Sequence, residues 1–107
     1  MKIYISGPIT GIEGYRERFD AAEKTLKAEG HIVVNPARVG DELPKETTHE
    51  EYMKVCLAML DSCDAIFMLD GWKESKGCGI EFEYAYEYKM TIAFEGGRNH
   101  EEYHAAV

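Results

Sequence analysis

Positive charge is what this chain has least of. Twelve Lys and Arg stand against twenty Asp and Glu in 107 residues, giving a formal net charge of −8 and a pI near 4.9. That balance argues against a nucleic-acid polymer or an anionic membrane as the main partner. It leaves open a small nucleotide held by backbone amides. Long apolar runs are also missing. Ile3 to Ile5 is a strand-length piece, far from the roughly 20 residues a bilayer-spanning helix needs, and no signal peptide is expected. Cysteine is scarce and odd in number: Cys56, Cys63 and Cys78 cannot all pair within one chain. Their spacings fit no zinc pattern, so they read as small core residues in a reducing cytoplasm. His31, His49, His100 and His104 have no spacing that suggests a metal, and neither metal nor cofactor is expected. With no repeat and no linker, residues 1–107 read as a single domain.

What is present is an alternation of short apolar runs and amphipathic helices. Lys2 to Ser6 is a strand at the N-terminus, running into Gly7-Pro8-Ile9-Thr10-Gly11, a turn. A helix follows, roughly Gly14 to Glu29, with Tyr15, Phe19, Ala22 and Leu26 on one face and Gly30 as its stop. His31 to Val34 is a second strand, closed by Asn35-Pro36. Residues 37–47 are polar and read as a long loop. Thr48 and Glu51 form a capping box for the next helix, which is apolar on two faces. Within that box His49 reads as a solvated first-turn residue. Asp64 to Leu69 is the third strand, Gly79 to Lys89 the third helix and Thr91 to Phe94 the fourth strand. The tail from Arg98 to Val107 is polar and read as a short helix.

Strand, helix, strand, repeated in this way, is the signature of a parallel sheet. Right-handed crossovers put helices on both faces. The expected fold is therefore a three-layer α/β sandwich of flavodoxin or Rossmann type, with about four strands in the order 2-1-3-4. Ligands of such sheets lie beyond the carboxyl ends of the strands, where the strand order reverses. That crevice is flanked by the turns Gly7 to Gly11 and Asp70 to Gly77. Glu81 stands at its edge, read as a first-turn helix residue. A carboxylate there either complements the helix end or does chemistry. Trp72 either stacks on a nucleobase or plugs the core.

Tyr4-Ile5-Ser6-Gly7-Pro8-Ile9, Cys63-Asp64-Ala65 and Ser75-x-Gly77-x-Gly79-x-Glu81 followed by Ala85 resemble the nucleoside 2-deoxyribosyltransferase-like family. Its relatives include the 2′-deoxynucleoside 5′-monophosphate N-glycosidases. The resemblance covers residues 2 to about 95. It implies a retaining attack on an N-glycosidic bond, with Glu81 as nucleophile and Tyr4 holding or polarising it. It further implies that Ser75 and Gly77 contact a sugar hydroxyl or phosphate; with the crevice residues Gly7, Pro8, Ile9, Thr10 and Trp72 they make the expected pocket for a small nucleoside or nucleotide.

The chain departs from that family in three places. An aspartate usual on the helix before strand 3 is replaced by Cys56, which leaves Asp70 as the nearest candidate acid. The serine and arginine that the monophosphate glycosidases carry in the first turn are replaced by Pro8 and Thr10. The tail, which in relatives completes a partner's pocket, is short here. A non-catalytic nucleotide-binding or sensing module is thus the competing reading, and Cys56 is the residue that favours it. A flavodoxin-type electron carrier fits the fold but lacks a hydroxyl-rich phosphate loop after strand 1. The two-faced apolar helix and the tyrosines at positions 84, 86 and 88 imply a homodimer or higher oligomer.

Overall fold

The computed structural model describes residues 1–96 and the backbone of Glu102–His104. Strands β1 (Lys2–Ser6), β2 (Ile32–Val34), β3 (Ala65–Met68) and β4 (Thr91–Phe94) form a parallel sheet in the order β2-β1-β3-β4. β5 (Glu102–His104) adds to β4 as an antiparallel edge strand. Residues 102–104 are thus strand where a tail helix was expected. The remainder of that expectation, with His100, falls outside the described residues.

Alternation along the strands sorts side chains to two faces. Ile3 and Ile5 of β1, with Ala65 and Phe67 of β3, face helix α1 (Tyr15–Ala28) and pack on Phe19, Ala22 and Leu26. Tyr4, Ile66, Met68 and Ile92 face the other way, onto helices α3 (His49–Asp61) and α4 (Lys76–Glu87). The result is three layers, with the sheet in the middle. Asp64 locks the entry to β3: its amide donates to the Lys2 carbonyl and its carboxylate accepts from the Lys2 amide.

Two local differences from the expected elements matter, and one expected feature forms. The segment 37–47 carries a short helix, α2 (Val39–Glu42). The capping box of α3 forms as expected: the Glu51 amide donates to Thr48 Oγ1 at 3.1 Å and the Thr48 amide to the Glu51 carboxylate at 2.8 Å. Helix α4 begins at Lys76, three residues before the expected Gly79, because Ser75 caps it by accepting from the Cys78 amide at 3.2 Å. Gly77 and Gly79 therefore lie inside the helix, and Glu81 leaves the first turn. The helix-end explanation of Glu81 falls with that shift, since the macrodipole acts within the first turn.

Candidate active site

Tyr4 and Ser6 are two apart on a strand, so both side chains point to the same face. Glu81 comes down onto them from α4. Tyr4 Oη donates to Glu81 Oε2 at 2.5 Å and Ser6 Oγ donates to Oε1 at 2.6 Å. Each carboxylate oxygen thus has one hydroxyl donor. Glu81 is only 6% exposed, and among the described residues it makes no ion pair. Burial pushes its carboxyl above the ordinary 4.5, and the bonds from Ser6 and Tyr4 pull the other way. Burial, with the adjacent Glu81, raises the Tyr4 phenol well above its usual range. Tyr4 therefore stays protonated and remains a donor. A buried carboxylate without a cation costs stability unless something else requires it.

This carboxylate lies at the wall of a crevice of about 750 Å³, within the range of small-molecule sites. Gly7, Pro8, Ile9 and Thr10 of the first turn line it, as do Asp70, Ser75 and Gly77 of the second turn and the start of α4. The two turns meet where Pro8 Cγ would lie 3.4 Å from a methyl at Gly71, whose φ is +88°. Gly7 itself is required by packing: a Cβ there would come 2.7 Å from Leu69 Cδ1 and 3.1 Å from Phe19 Cε1. Gly77 has a different reason. Its backbone is ordinary helix, but a methyl would come 3.3 Å from Met53 Sδ, and the His49 ring stands just beyond.

Trp72 is not among the crevice residues. It lies in a 3₁₀ turn (Trp72–Glu74), with its ring stacked on Phe82 at 4.7 Å and tilted against Phe94 at 5.9 Å. It plugs the α4 side of the core and borders a separate, smaller hollow with Asp70 and Lys73. Asp70 lines the crevice, but its backbone is clamped. Arg18 Nη2 donates to the Asp70 carbonyl and to Glu95, and Glu95 accepts from the Asp70 amide. The Asp70 carboxylate sits beside Gly96, where a Cβ would be 3.6 and 3.7 Å from its oxygens.

The structure adds residues that sequence reasoning left aside. Ser6 was legible from its period-two spacing to Tyr4. Arg18, His49, Tyr52 and Met53 also line the crevice. The apolar spacing of α3 gave Tyr52 and Met53 as packing residues, while nothing in the sequence separates Arg18 from a surface cation. Cys56 is 2% exposed, packs with Tyr4 in the core and is absent from the crevice wall. Burial raises its thiol. Among the described residues no group of three His, Cys, Asp or Glu side chains is placed to hold a metal, and no helix is long and apolar enough to cross a membrane.

A family model described as a domain of unknown function, DUF4406, matches residues 1–94. No curated protein matches the chain. Among solved structures, a 2-deoxyribosyltransferase from the psychrotolerant bacterium Bacillus psychrosaccharolyticus superposes with a TM-score of 0.70. The likeness is at 21% identity, over 88% of this chain and 71% of that one. It establishes a shared fold.

Proposed function

The chain belongs to the DUF4406 family, and we propose that it cleaves or transfers at the N-glycosidic bond of a deoxynucleoside or nucleotide, with Glu81 as nucleophile. One observation carries this reading. A carboxylate 6% exposed, held on both oxygens by neutral hydroxyls and without an ion pair among the described residues, borders an open crevice. Such a group is complementary to positive charge that arrives with the ligand. An oxocarbenium-like transition state supplies it at C1′. Tyr4 and Ser6 orient the carboxylate and keep it from rotating away. The fold shared with a 2-deoxyribosyltransferase and the Tyr4, Ser75, Gly77 and Glu81 pattern support the same chemistry.

The first-turn residues Gly7 to Thr10, with Ser75 and Gly77, form the walls available to sugar and base. The test is incubation with a panel of deoxynucleosides and their monophosphates, with and without a second free base. Released base is read by chromatography, for wild type and Glu81→Gln. Base release by wild type and none by the variant is the expected result. Equal release by both proteins overturns the role of Glu81.

A second reading, a nucleotide-binding module without turnover, is favoured by Cys56. The position that would carry the leaving-group acid holds a buried thiol outside the crevice. Nucleotide binding by calorimetry with no base release in any mixture supports that reading.

The chain is further proposed to act as a symmetric pair joined through α3 and α4. Val55 is 37% and Tyr88 62% exposed, and the Tyr88 ring is tilted against Tyr84, whose hydroxyl donates to Asp61 of α3.

A further inference from the structure

We propose that His49 is the acid that protonates the leaving base, in the place left open by Cys56. This rests on the N-glycosidic reading of the same crevice. His49 opens α3, lines the crevice and is exposed to it. Its Nε2 would lie 3.9 Å from a methyl at Gly77. Gly77 and Glu81 are four apart on α4, so they share a helix face with about 5–6 Å between their Cβ positions. The imidazole and the nucleophile therefore stand one helical turn apart along one wall. The gap between them is kept open by the missing side chain of Gly77. That separation suits a sugar carbon at one end and a base nitrogen at the other.

Three other candidate acids, Cys56, Tyr52 and Asp70, are less well placed. The Cys56 thiol is buried outside the crevice and raised by burial. The Tyr52 phenol is raised by burial as well. The Asp70 carboxylate is turned toward Gly96 and its backbone is tied to Arg18 and Glu95. The His49 imidazole can give a proton and take it back through a ring nitrogen.

The steps balance with water as the only co-reactant. Glu81 forms an oxygen–C1′ bond as the C1′–N bond breaks. The electron pair of that bond goes to the purine, and His49, as imidazolium, gives its proton to a purine ring nitrogen. Water then attacks C1′, the Glu81–C1′ bond breaks with its pair returning to the carboxylate, and neutral His49 takes the proton from water. Nucleoside and water become free base and free sugar, and both side chains are restored.

The experiment compares a purine deoxynucleoside with its N7-methyl counterpart, whose fixed positive charge lets the base leave without a proton. Wild type, His49→Gln and His49→Asn are assayed for kcat/KM by base release, with melting curves to verify folding. The expected loss is about a hundredfold or more on the purine nucleoside, with less than about threefold change on the N7-methyl substrate. Equal losses on both substrates, or no loss on either, overturn the assignment of His49 while leaving the role of Glu81 standing. Absence of base release by wild type from both substrates and from every deoxynucleoside and monophosphate of the panel overturns the N-glycosidic reading and this assignment together.

Discussion

Tyr4 and Glu81 stand 77 positions apart in the chain, and the phenol of one donates to the carboxylate of the other at 2.5 Å. Ser6 holds the second oxygen of the same carboxylate at 2.6 Å. A single strand thus supplies both donors to a group delivered by a helix on the opposite side of the sequence. The properties of that group follow from this arrangement.

Tyr4→Phe removes one donor without changing ring packing. The bond from Tyr4 pulls the Glu81 carboxyl down against burial. Its loss therefore moves the acid limb of the pH–rate profile to higher pH. The orphaned oxygen is expected to cost about 1–3 kcal/mol at neutral pH. Rate against pH and thermal melting check the two effects separately. Ser6→Ala is expected to shift both in the same direction.

Glu81→Gln is expected to abolish base release and to stabilise the fold at neutral pH. The folded carboxyl is raised above 4.5, so the native state disfavours its charged form. The contribution of this group to wild-type stability is then fully present below 4.5 and is lost as pH rises through the folded value. Glutamine does not titrate, and its amide can bond to both Tyr4 and Ser6. The gap in melting temperature between variant and wild type should be wider at pH 7.5 than at pH 4. A constant gap contradicts the burial argument.

Gly77→Ala separates helix stability from site access. Alanine in place of a helical glycine gains up to about 1 kcal/mol. The new methyl, however, points at Met53 Sδ from 3.3 Å and narrows the crevice beside Glu81. Melting temperature is expected to hold or rise while kcat/KM falls by about tenfold to a hundredfold. Activity at the wild-type level would show that the glycine is not kept for ligand.

Trp72→Ala tests the placement of the indole against Phe82 and Phe94. Removing a packed aromatic of this size is expected to destabilise the fold by about 3 kcal/mol. KM for any nucleoside should be unaffected, because the ring stands outside the crevice. A large KM effect with normal stability would return Trp72 to the binding site.

Assembly is checked by sedimentation. A dimer at micromolar concentration, converted to monomer by Val55→Glu, is the expected outcome. A monomer at high micromolar concentration removes the pairing from the proposal.

The order of the sheet was legible because each strand is a short apolar run with a helix between it and the next. Tyr4 and Glu81 were legible through the family motif, and the topology alone brings their strand and helix to one crevice. Other features were hidden by ambiguity that chain chemistry does not resolve. Gly77 and Gly79 read as turn because glycine usually breaks helices, yet the Ser75 cap starts α4 before them. His49 read as a solvated first-turn residue and is exposed; that it also borders the crevice depends on how α3 lies beside α4, which the capping box does not encode. Trp72 carried two readings, and its packing was decided by Phe82 and Phe94 from two other elements. The edge strand at 102–104 lies in a polar tail without an alternating apolar pattern, so only pairing with β4 defines it.

The position of β1 in the sheet has a consequence for how the molecule comes into being. β1 lies between β2 and β3, and in a parallel sheet neither neighbour pairs with it through a tight hairpin. Its register with Ala65–Met68 is closed only after the intervening chain has been collapsed, an ordering cost that slows folding. The donors at positions 4 and 6 wait longer still, until residue 81 arrives. Assembly of the Tyr4–Glu81 pair is then expected late in refolding rather than early, because it closes a separation of 77 positions.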